Sequence, residues 1–200
     1  LYWYTDLEAA KHAAADSDKP IISLRLLGRL TDEFSCANSR FFRTILYANR
    51  DVSSWMREHA ILHWSSERPV PQVTIDFGDG RTMRTTATGN SVHYVLDADG
   101  RPLDAIPGLY GPKPFLERLA EAELLANLVR TCPAERRSLV IRYHRAAIAS
   151  AKKDWQDRVG QPLKVRVPEV TGDDEALLAQ RVSVSKSKAE IGLLVDLGKL

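Results

Sequence analysis

Ile21-Ile22-Ser23-Leu24-Arg25-Leu26-Leu27, closed by Gly28, is the stretch on which the fold turns. A short apolar run ending on glycine reads as a strand covered on both faces. Upstream, Leu7, Ala10 and Ala14 recur at helical spacing, Asp6 stands at the capping position and Lys19-Pro20 stops the run, so a helix leads into the strand. Downstream, a polar loop runs to Phe34, and Ser35-Cys36-Ala37-Asn38-Ser39 then opens a second helix. Its apolar stripe is Phe41, Phe42, Ile45 and Leu46, and its end falls near Ala48. Ser35 is the expected N-cap, which places Cys36 in the first turn. Asp51 to Glu58 predicts a short helix with Val52, Trp55 and Met56 inward, and Ala60-Ile61-Leu62-His63-Trp64 predicts another strand.

Beyond Pro69 and Pro71 the pattern changes to hairpins. Val73 to Phe77 and Arg81 to Thr86 flank Gly78-Asp79-Gly80, a strong turn signal, so a hairpin is inserted at about 72–88. Val92 to Asp97 and Pro102 to Ile106 alternate around Asp99-Gly100 and predict a second hairpin. From Pro114, the leucines at 116, 119, 124, 125 and 128 together with Phe115 give a helix ending near Thr131, and another spans Ala134 to Val159 until Gly160-Gln161-Pro162 breaks it. The remaining residues hold a strand-like Leu163-Lys164-Val165-Arg166-Val167, an acidic turn at Gly172 to Glu175 and an apolar run from Ile191 to Leu197. That tail is too apolar for simple disorder and is expected to pack on the domain or on another chain.

A chain of 200 residues, 44% hydrophobic and 27% charged, supports one main domain with a small appendage. A formal charge of +2 provides no field for a polyanion, which argues against nucleic acid as a partner of the whole chain. No apolar stretch approaches the roughly 18 to 20 residues of a membrane span, and no basic start with an apolar run resembles a signal peptide. Because the sequence opens on Leu1 rather than Met, an upstream targeting segment stays open, and localisation goes no further than favouring the cytoplasm. Two cysteines, Cys36 and Cys132, are too few for a disulfide framework, so any cysteine chemistry is that of single thiols.

The order helix, strand, cysteine-bearing helix, strand, antiparallel hairpin and final helix resembles thioredoxin, over roughly Tyr4 to Arg130. Lys19-Pro20-Ile21-Ile22 matches the family's entry to its central strand, and Leu96-Asp97-Ala98-Asp99-Gly100 matches the hairpin before its last helix. The resemblance implies an α/β thioredoxin-like fold, a central mixed sheet flanked by helices. The thioredoxin-like domain then covers 1–130 with the inserted β-hairpin, and 131–200 form a helical C-terminal extension and tail. The family's redox motif, Cys-x-x-Cys at a helix start, is matched here by Cys36-Ala37-Asn38-Ser39, so the second cysteine is replaced by Ser39. Free backbone N–H groups and the positive helix end favour Cys36 as a nucleophile. Without a neighbouring thiol, a Cys-x-x-Ser site can exchange, isomerise or trap but cannot hold an internal disulfide. Where the family carries a proline, normally cis, this chain has Ser91 after Asn90. A cis bond there costs about 2.5–4 kcal/mol, so a trans peptide and an altered groove are expected.

Two functional expectations follow from the resemblance. The first is a monothiol thiol-disulfide oxidoreductase or isomerase in which Cys36 and Ser39 form the catalytic pair, exchanging with a protein or a low-molecular-weight thiol or disulfide. The second is a catalytically silent thioredoxin-fold protein-binding module whose recognition groove is built from Asn90, Ser91, Tyr110 and the residues around Cys36. No cofactor is implied. A lone cysteine is commonly a small buried apolar residue, and packing is the expected role of Cys132.

Other features carry weaker chemistry. His63 and His93 lie on predicted strands read as neighbours and, with Cys36, would make a nitrogen and sulfur site for copper or zinc, but their spacing matches no metal motif. Asp76-Phe77-Gly78-Asp79-Gly80-Arg81 lacks the ligand run and closing glutamate of a calcium loop and reads as a turn. Between 130 and 158, eight Lys or Arg residues face three acidic ones, a basic helix suited to an acidic partner, with Tyr143 and Trp155 placed to stack.

Overall fold

The computed structural model describes residues 1–160 as an α/β structure in which helices flank a mixed sheet. Asp6 caps α1 (Leu7–Ser17) by accepting from the Ala9 N–H at 3.0 Å, and the chain then enters β1 (Ile21–Leu27). After β1 come α2 (Ala37–Phe41), a π turn at Phe42–Leu46, α3 (Arg50–His59) and β2 (Ile61–Arg68). A two-stranded ribbon, β3 (Gln72–Asp76) and β4 (Thr82–Thr86), stands apart from the main sheet. The sheet resumes with β5 (Ser91–Leu96) and β6 (Pro102–Pro107), followed by α4 (Pro112–Thr131), a 3-10 turn at Pro133–Glu135 and α5 (Arg136–Val159).

The strand order is β2-β1-β5-β6. β1 runs parallel to β2, Ile21 opposite Ile61, and antiparallel to β5, Ile21 opposite Leu96. Its near-continuous burial follows from helices on both faces. On one face Ala10 and Ala14 of α1 pack on Ile21 and Leu96. On the other, Ile22, Leu24 and Leu26 lie under Phe42 and Leu46 of the π turn, Val52 and Met56 of α3, and Phe115 and Leu119 of α4. α5 folds back on this body, where Leu139 and Val140 meet Leu125, Val129 and Leu103.

Several local expectations change. The cysteine-bearing helix does not stay α-helical to Ala48, because the Tyr47 N–H bonds the Phe42 carbonyl at 2.7 Å and widens the last turn. Ser35 is not the N-cap; Cys36 is, and Ser35 is buried beneath it. α4 begins at Pro112 rather than Pro114, since proline at a first helical position needs no donor. Within the extension expected over 131–200, α5 begins at Arg136 after the 3-10 turn. The expected strand at 163–167, the acidic turn at 172–175 and the apolar run at 191–197 lie outside the described residues. Among the described residues, no helix is long and apolar enough to cross a membrane.

His93 of β5 is wholly buried between Phe42 and Phe115, with ring centroids 4.8 and 4.9 Å away. Burial raises the pKa of Tyr47, whose protonated hydroxyl is hydrogen-bonded to His93 Nε2 at 2.6 Å. Burial pushes the His93 pKa down to about 3, opposed by the backbone of Ile106. In the unfolded chain the same imidazole titrates near about 6.5. Stability is therefore complete above that value and is lost progressively as pH falls toward 3, because the unfolded state takes the proton first. Urea midpoints measured down a pH series fall across this window, and His93→Gln flattens the fall. An unchanged slope in that variant contradicts the assignment.

Candidate functional site

The expected site centres on Cys36, and the structure encloses it. Cys36 is 0% exposed and packs against Leu27 and Val70. Its Sγ accepts a hydrogen bond from the Ser39 N–H at 3.4 Å, so the sulfur satisfies the start of the helix as a cap residue does. Ser39 is equally buried and donates its hydroxyl to the Leu30 carbonyl at 3.2 Å. The two residues of the expected catalytic pair are thus brought together, both facing inward.

The enclosure is built by the hairpin insertion. Its incoming leg carries Val70 onto Cys36, and on its outgoing leg the Thr86 hydroxyl donates to the Ser35 carbonyl at 3.1 Å. The legs are joined to each other where the Ala87 N–H bonds the Pro71 carbonyl at 3.1 Å. Further along, the Asn38 side-chain amide donates to Ser91 Oγ at 2.8 Å. Arg43 holds the loop before the cysteine, donating to the carbonyls of Thr31 and Asp32 at 3.1 and 2.9 Å and to Ser35 Oγ at 3.1 Å.

Gly89 lies so close to Asn38 that a Cβ added there would stand 2.5 Å from its side-chain oxygen. Asn38 is tied to Ser91 and cannot swing aside without losing that bond. Gly89→Ala is therefore expected to lower stability by about 1–3 kcal/mol and to speed alkylation of Cys36, both read in one denaturation and labelling series. An unaltered labelling rate would show that this contact does not close the site.

Of the expected groove residues, only Asn90 is exposed. Its carbonyl accepts from the Leu27 N–H at 3.3 Å, and the peptide joining it to Ser91 is trans. Ser91 is buried against Asn38, and Tyr110 sits in the main core rather than beside an open groove. Asn38, Val70, Gly89 and Arg43 were not singled out from sequence. The one available signal was the place of Asn38, a hydrogen-bonding amide inside the Cys-Ala-Asn-Ser run.

The histidines expected as neighbours are separated. β1 lies between their strands, His63 opposite Ser23 and His93 opposite Leu24, so they occupy opposite faces of the sheet. His63 Nδ1 hydrogen-bonds Ser23 Oγ at 2.8 Å. Burial is the main cause lowering its pKa, with Arg25 adding to the effect and Asp6 opposing it. Among the described residues, no cluster of His, Cys, Asp and Glu is arranged to hold a metal ion. In the ribbon turn the Asp76 and Asp79 carboxylates accept from the Gly78 and Arg81 N–H groups at 2.8 and 3.0 Å.

Tyr143 is half-buried and lines a cleft between α4 and α5, with its hydroxyl engaged within the chain. Its hydroxyl donates to Asp104 at 2.6 Å, and burial, then the Asp104 charge, raises its pKa. Two of the basic residues counted on this segment are engaged within the chain, Arg130 with Asp18 at 3.6 Å and Arg136 with Asp97 at 3.1 Å. Cys132 is exposed at the end of α4 instead of packing. It lies beyond the end of the sheet where Arg136 meets Asp97, whereas Cys36 adjoins Leu27 at the other end. Comparisons with protein families, curated proteins and solved structures find no match to this chain.

Proposed function

We propose that this chain is a catalytically silent protein-binding module of thioredoxin-like fold. The order β2-β1-β5-β6, with one parallel and two antiparallel pairings and the cysteine capping the helix after β1, supports the fold-family reading. One observation carries the functional reading: Cys36 is 0% exposed with Sγ engaged in the helix cap. Thiol-disulfide exchange needs the sulfur to meet a disulfide in line, and a sulfur with no exposed surface, packed against Val70 and Leu27, offers no such access. What the molecule offers to solvent instead is contact surface. The ribbon presents Val73, Ile75, Phe77 and Met83, all among its exposed large apolar side chains.

The test is exchange itself. Cys132→Ser protein incubated with oxidised glutathione at about pH 8, where a free thiol is substantially ionised, is expected to gain no glutathione adduct in intact mass while folded and to gain one in urea. Rapid adduct formation on the folded protein would restore the lone-thiol enzyme in place of the silent module.

A further inference from the structure

A cleft of about 500 Å3 lies between α4 and α5, and its walls are mostly apolar. Leu125 and Leu139 form its buried floor, where the two helices meet. On the α4 side Leu124 and Leu128 stand one turn apart along its rim, 66% and 51% exposed. Across from them α5 offers only the small side chains of Ala146 and Ala147 beyond Tyr143. Scattered surface leucines are ordinary, but two in succession beside an apolar cleft make a surface fit to be covered.

The polar groups around the cleft narrow what covers it. Arg118 pairs with Glu121 at 2.9 Å, and the Tyr143 hydroxyl is held by Asp104. Arg142 is exposed on the same lining and has no partner among the described residues. The fitting occupant is therefore apolar and carries an acidic group.

The chain's own sequence contains such a segment. Past α5 it continues to Leu200, and within that stretch Ile191-Gly192-Leu193-Leu194-Val195-Asp196-Leu197 sets five large aliphatic residues around a single acid. α5 itself lines the cleft as far as Ser150 and ends at Gly160, whose N–H bonds the Gln156 carbonyl at 2.9 Å. From Gly160 back to Ser150 is about 15 Å along the helix, at about 1.5 Å per residue. A tether as long as 161–190 spans about 30 Å, enough to bring the run back over the cleft.

We infer that residues 191–197 of the same chain fill the cleft between α4 and α5, with their aliphatic side chains on Leu124 and Leu128 and the Asp196 carboxylate toward Arg142. Tethering selects this occupant over others. A segment joined by a linker acts at an effective concentration in the millimolar range, which a free partner or a second copy must match to take its place.

The test places a thiol inside the cleft of the full chain. In Cys132→Ser protein, Ala147→Cys is treated with iodoacetamide, and the adduct is followed by mass on the peptide that contains position 147. Labelling is expected to be slow with the native 191–197 run. It should become about tenfold faster or more when Leu193→Asp and Leu194→Asp put two charges into the middle of that run, since a charge resists burial in an apolar cleft. If Ala147→Cys does not fold, Ser150→Cys, at an exposed position of the same cleft, replaces it. Equal rates with and without the two tail substitutions, whether fast or slow, overturn the inference, because the run then does not cover the cleft. Protection that grows with protein concentration assigns the cleft to a second copy and overturns it as well.

Discussion

Phe42→Ala is expected to lower the free energy of unfolding by about 3–5 kcal/mol, read from urea denaturation curves. Phe42 is 0% exposed, and its ring meets His93 at 4.8 Å, Tyr47 at 5.6 Å and Phe41 at 6.2 Å. It also stands at the start of the π turn, where its carbonyl accepts from the Tyr47 N–H. Truncation removes ring contacts from three neighbours and leaves a space that the sheet behind it cannot close. A domain of this size is held by only about 5–15 kcal/mol, so the variant should sit close to its unfolding threshold. Ile45→Ala is the control, because Ile45 lies in the same turn and is 50% exposed. A change within about 0.5 kcal/mol is expected there. Equal losses in the two variants would contradict the assignment of Phe42 to the core.

Much of the framework was legible because its signals are local. The Ile21 to Leu27 run, the Asp6 cap, the Gly78-Asp79-Gly80 turn and the Asp99-Gly100 turn each specify backbone geometry within a few residues. The π turn was not legible, since Phe42 and Leu46 face inward with either four or five residues between bonded groups; Ile45, expected on the same stripe, is instead turned to solvent. The histidine pair failed on strand order. Sequence placed His63 and His93 on strands but could not say that β1 passes between them.

At the candidate site the missing information was tertiary. Val70 stands between Pro69 and Pro71 and reads as part of a break, yet those prolines set the path that lays Val70 on Cys36. Tyr110 reads as a loop aromatic and is carried into the core. The Tyr143 hydroxyl shows no partner in the sequence, and α5 brings it to Asp104. In each case the residue type was visible and its partner, 34 or more positions away for Val70 and 39 for Tyr143, was not.

The claim on which the functional reading depends is that Cys36 is a structural cap and not a nucleophile. Its sulfur lies under Val70, its N–H partner belongs to its own helix, and Thr86, Asn38 and Ser91 join the covering segments to the elements beneath them. Labelling requires those segments to lift or the chain to unfold, and opening on that scale costs several kcal/mol. Cys132, exposed at the end of α4, has no such barrier. Folded protein is therefore expected to react at Cys132 at the rate of a small thiol, and at Cys36 on the order of a thousandfold more slowly or less. The direct measurement is the rate of iodoacetamide labelling of Cys132→Ser protein, followed by intact mass with and without urea. The account predicts protection in the folded protein that disappears across the unfolding transition; labelling of the folded protein as fast as the unfolded chain would contradict it.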